Sequence, residues 1–73
     1  MDKVSYKGRK NVERKLIRSA AELVGSIGPN QLSIRDIADH AGVNHAQIHH
    51  YFGGKQGLLE STYKQLAFDH MEQ

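Results

Sequence analysis

Between Ser33 and Gly53 the chain leaves room for two short helices and a turn of very few residues. Ser33-Ile-Arg-Asp36 sets a hydroxyl and a carboxylate three residues apart, just ahead of an apolar-periodic run. This is the spacing of a capping box, in which each side chain satisfies a backbone N–H left over at a helix N-terminus. Ile34, Ile37, Ala38 and Ala41 follow at helical spacing. Gly42 then closes a helix of about two turns, because glycine adopts a left-handed backbone without a Cβ clash. Only Gly42 and Val43 separate this segment from Asn44, which with Gln47 signals a second N-terminus. That next helix covers about residues 44–51, carries Ile48 and Phe52 inward, and is broken by Gly53-Gly54. So short a joint makes the two helices cross closely, and Ala38 and Ala41 are small enough to permit it.

The segments on either side are helical too. Leu16, Ala20, Leu23, Val24 and Ile27 share one face of a helix read over residues 11–27, with Asn11 as its N-cap and Glu13 in its first turn. Gly28-Pro29-Asn30 stops it. A fourth helix, residues 55–71, carries Leu58, Leu59, Tyr63, Leu66 and Ala67 as its apolar stripe. Residues 1–10 are polar, contain Gly8 and show no periodicity, which reads as a flexible basic arm. With no strand pattern, the expected architecture is all-α: a small three-helix, homeodomain-like bundle over residues 11–73 with the start of a fourth helix. Seventy-three residues make one small domain, and a chain of that size buries only roughly 60% of its unfolded surface.

The net charge of +2 hides an asymmetry: residues 1–18 hold seven bases against two acids, and residues 19–73 hold three against six. A basic entry on a slightly acidic body points to an anionic partner. The chain has no cysteine, which excludes disulfide staples and cysteine-based zinc sites and fits a reducing cytoplasm. No apolar run approaches the roughly 18 residues of a membrane span, and no apolar stretch backs the N-terminal charges as in a secretory signal. Neither a phosphate-cradling glycine loop, a nucleophile elbow nor an apolar-set carboxylate pair is present, so the sequence offers no enzyme motif and implies no cofactor.

Two short helices around a glycine turn are the geometry of a helix-turn-helix, whose second helix enters the major groove of DNA. The same spacing also fits an ordinary helical hairpin in a small bundle. Leu32-Ser-Ile-Arg-Asp-Ile-Ala38, Ala41-Gly-Val43, Ile48-His-His-Tyr-Phe52, Lys55 and Leu58-Leu59 together resemble the N-terminal DNA-binding domain of the tetracycline-repressor (TetR) family. The likeness covers about residues 11–63. Where that family usually has Leu-Tyr-x-His-Phe, this chain has Ile48-His49-His50-Tyr51-Phe52, and Gly53-Gly54 replaces a polar pair. The resemblance implies a homodimeric, cytoplasmic transcription regulator, usually a repressor, on a palindromic double-stranded operator. It further implies a C-terminal domain for dimerisation and a small-molecule inducer, absent from this chain, and hence a monomeric fragment that binds one half-site weakly.

Winding the recognition helix at 100° per residue with Ile48 inward turns Ala46, His49 and His50 outward, with His45 and Gln47 at the flanks. Gln47 suits adenine N6 and N7, Ala46 a thymine methyl, and the histidines guanine or phosphate. Each is equally at home as a solvated surface side chain, since phosphate contacts outnumber base contacts. Ser33, Arg35, Tyr51 and Lys55 are the phosphate candidates. The resemblance implies the roles of Arg35 and Tyr51, while Lys55 adds an ammonium at a helix start. Lys7, Arg9 and Lys10 add non-specific attraction or serve only as a solubilising run. His45 and His49, four residues apart, also raise a small helical metal-binding module as an alternative, beside a protein-interaction module. Two imidazoles with no Glu between them fall short of a zinc site.

Overall fold

The computed structural model describes residues 2–72, with side chains described for residue 8 and residues 10–71. Four helices follow one another: α1 (Asp2–Ser26), α2 (Ile34–Ala41), α3 (Ala46–Phe52) and α4 (Lys55–Glu72), with no strand among the described residues. The fold is an all-α bundle. α1 packs against both α2 and α4, and α3 rests on α4.

The core draws on every element: Leu16 and Ala20 from α1, Leu32 from the loop, Ile37 and Ala38 from α2, Ile48 from α3, and Leu58 and Leu59 from α4. Full burial of one leucine or isoleucine contributes about 2 kcal/mol, a large part of the net stability of so small a domain. Among the described residues two polar side chains are also buried, and both are satisfied. The Thr62 hydroxyl donates to the Leu58 carbonyl at 2.8 Å. Ser19 Oγ lies 3.0 Å from His40 Nδ1, while His40 Nε2 lies 3.3 Å from a Glu22 carboxylate oxygen, so one imidazole ties the end of α2 to the middle of α1.

The caps fall where the sequence puts them for α2. Ser33 Oγ accepts from Asp36 N–H at 3.0 Å, and Ser33 N–H donates to the Asp36 carboxylate at 3.2 Å. At the far end Gly42 is left-handed (φ +75°), its N–H donates to the Asp39 carbonyl, and the Val43 N–H donates to the Ala38 carbonyl. Those two bonds satisfy orphan carbonyls of the helix end, the arrangement a glycine in the C′ position makes possible.

Three expectations need correction. α1 begins at Asp2 rather than Asn11, so residues 2–10 extend the helix instead of forming an arm, and Asn11 lies inside it. Absence of an apolar stripe is not absence of helix. A single Gly8 costs only about 1 kcal/mol in a helix already nucleated by its buried half. α3 starts two residues later than read, because Asn44 sits in the turn and its Oδ1 accepts from Ala46 N–H at 2.8 Å. The inward stripe also ends early on α4. Tyr63 and Leu66 are 44% and 45% exposed and Ala67 is exposed, as is Ile27 past the end of α1. Periodicity marks these as apolar-face positions, but among the described residues no element covers them.

Candidate nucleic-acid interface

The elbow between α2 and α3 is held by backbone. Beyond the two bonds at Gly42 and Val43, Gln47 N–H donates to the Asn44 carbonyl at 3.0 Å and Ile48 N–H to the His45 carbonyl at 3.1 Å. α3 therefore opens with tight i to i+3 bonds, a common start for a short helix. Ile48 is its one buried residue, with Phe52 packed part-buried against the core. Together they fix rotation about the helix axis and leave Ala46, His49 and His50 exposed.

A glycine sets the other end. In the first turn of α4, a Cβ at Gly57 would overlap the Phe52 carbonyl oxygen and stand 3.0 Å from its carbon. The start of α4 thus rides directly on the last carbonyl of α3, a closeness only glycine allows. Periodicity gives no sign of it, because glycine near a helix start reads as neutral.

On the exposed face Asn44, Ala46, Gln47, His49 and His50 line one shallow concavity of about 550 Å³. Four of the five expected base-contacting residues are thus gathered in one place. His45, the fifth, is exposed at the cap position of α3 but does not line the concavity. Asn44 joins it unforeseen. Its carbonyl oxygen is committed to the Ala46 N–H, which leaves its NH₂ as a donor on the same surface. A second concavity of about 480 Å³ between α1 and α4 is lined by none of the expected site residues.

The phosphate candidates lie on separate elements, and none of them lines the concavity. Arg35 is exposed in the first turn of α2, and Lys55 is half-buried as the first residue of α4. Ser33 is exposed at the α2 cap, and its hydroxyl accepts one bond and keeps its own O–H to donate. Tyr51 is half-buried with its ring centroid 5.0 Å from that of His50, tilted at 56°. Lys10 is exposed on α1, and the side chains of Lys7 and Arg9 lie outside the described residues. Among the described residues no three His, Cys, Asp or Glu side chains converge as a metal site, and no helix is long and apolar enough to cross a membrane.

Two short helices joined at a glycine elbow, the second seated by Ile48 and Phe52 with Ala46, His49 and His50 exposed, define a helix-turn-helix protein. The family model for bacterial regulatory proteins, tetR family, matches residues 16–62. The chain belongs to that family of helix-turn-helix transcription regulators. It is 45% identical over 56 residues to the HTH-type transcriptional regulator BetI 1 of Chromohalobacter salexigens, which covers 77% of this chain and 28% of that protein. It is 41% identical over 56 residues to BetI 2 of the same organism, again 77% of this chain and 27% of the relative. With the BetI regulator of Brucella anthropi it shares 42% identity over 53 residues, 73% of this chain and 27% of the relative. The chain thus spans just over a quarter of the length of these relatives. No solved structure matches it significantly.

Proposed function

We propose that this chain is the sequence-reading head of a homodimeric transcriptional repressor that binds a palindromic operator in double-stranded DNA. The observation that carries the reading is the surface of α3, where Ala46, Gln47, His49 and His50 share one concavity that Asn44 completes. Gln47 reads adenine through its amide, Ala46 packs on a thymine methyl, and His45, His49 and His50 donate to guanine or to phosphate. Ser33, Arg35, Tyr51 and Lys55 hold the phosphates that set register, with Lys7, Arg9 and Lys10 adding salt-dependent attraction. On this reading dimerisation and a small-molecule inducer site belong to the whole protein and not to these seventy-three residues, which match just over a quarter of the relatives' length. Such a repressor works in the cytoplasm, on the nucleoid.

Selection of bound sequences from a random duplex pool, using the chain fused to a dimerising partner, tests this. The expected product is a two-fold symmetric motif with half-sites about 34–36 Å apart or a multiple of that, bound less tightly as salt rises. Recovery of no enriched sequence would overturn it.

A further inference from the structure

From Ala41 to Gly54 the chain has no Lys, Arg, Asp or Glu, so the elbow and the whole of α3 carry no fixed charge. What that stretch has instead is His45, His49 and His50, all three exposed. A duplex is normally met with permanent cations: arginine or lysine on guanine edges and on phosphates. Here the exposed face of α3 has only charge that imidazoles acquire. A neutral imidazole offers one donor and one acceptor, a protonated one two donors and a full charge. Duplex DNA presents one negative charge per ~1.7 Å of axis, a field that favours the protonated form.

Resting on the DNA-reading function proposed above, we infer that α3 becomes cationic on docking: His45, His49 and His50 take up protons as the duplex binds, and the half-site is read most tightly on the acid side of neutrality. The neighbours leave room for this. α2 contributes Arg35, Asp36 and Asp39 and α4 contributes Lys55 and Glu60 as the charged side chains nearest in sequence, and none of them lines the concavity. The ring of His50 lies against Tyr51. Among the described residues the histidine that is paired with a carboxylate is His40, held on α1 by Ser19 and Glu22.

By linkage, each imidazole that is charged only in the complex steepens affinity by up to tenfold per pH unit. Affinity for a duplex recovered by the selection should therefore rise about tenfold or more from pH 8 to pH 6 at fixed ionic strength. Calorimetry at pH 7 in two buffers of different ionisation heat should show net proton uptake. The triple variant His45→Gln, His49→Gln, His50→Gln, and His49→Gln alone in case the triple variant loses helicity, should flatten the slope and reduce the uptake. His40→Gln should keep both. Tight binding with no pH slope, or a slope that survives the triple substitution in a folded protein, overturns this inference and leaves the DNA-reading function standing. A pool selection that enriches nothing overturns the function and this inference together.

Discussion

Replacing Gly57 with alanine sets two known effects against each other. An alanine in a helix is about 1 kcal/mol more favourable than a glycine, so in open space the change stabilises. At Gly57 the space is not open: the new methyl overlaps the Phe52 carbonyl oxygen and lies 3.0 Å from its carbon. Ordinary carbon contacts begin at about 3.5 Å, so the junction between α3 and α4 must open by on the order of 1 Å. Overpacking costs roughly 1–3 kcal/mol, and a backbone carbonyl cannot swing aside as a side-chain tip does, which selects the upper end. The net expectation is a loss of about 2 kcal/mol, or roughly 10 °C in Tm for a domain of this size. Thermal unfolding followed by helical circular dichroism measures it, with Gly25→Ala as the internal standard. Gly25 lies in the last turn of α1 with nothing within 4 Å of an added Cβ, so that variant should melt at or above the parent. Should Gly57→Ala melt alongside Gly25→Ala, the close seating of α4 on α3 is wrong.

Other substitutions isolate other parts. Ser33→Ala should cost about 1 kcal/mol in chemical denaturation, and adding Asp36→Ala should cost less than the sum of the two, because both changes break one reciprocal pair. Gly42→Ala should cost about 1 kcal/mol from backbone strain alone, since φ is +75° and an added Cβ meets nothing. Equal stability in urea titration would refute the left-handed elbow. Lys55→Ala should weaken binding to selected and random duplexes alike and reduce the salt slope by about one unit, which a fluorescence titration at several salt concentrations reads directly.

The parts of this fold that the sequence makes legible are those encoded within a few residues. Ser33 with Asp36, and Gly42 after Ala41, write the two ends of α2 in local chemistry, and the observed bonds match. Alternation of buried and exposed positions around Ile48 likewise predicts which side chains of α3 share a face, and the concavity gathers Ala46, Gln47, His49 and His50 there. What resisted reading is tertiary or negative. Residues 2–10 are helical without an apolar stripe in the sequence, so periodicity is silent about them. Tyr63 and Leu66 belong to the apolar face of α4 by spacing, yet whether anything covers them is a property of neighbours, not of spacing. The bridge from Ser19 through His40 to Glu22 spans residues 21 apart, and no local pattern announces it. Gly57 is invisible for the same reason: its constraint is a carbonyl across a helix junction.

The way α3 is fastened has a consequence for how such a protein diversifies. Its elbow is held by backbone hydrogen bonds and the Asn44 side chain, and its seat by buried Ile48 and part-buried Phe52, so its exposed positions Ala46, His49 and His50 contribute little to keeping the domain folded. Substitutions at Ala46, His49 or His50 can accumulate at small cost in stability, each shifting what the surface recognises. Duplicated copies of this domain are therefore free to drift apart in target while remaining alike in shape.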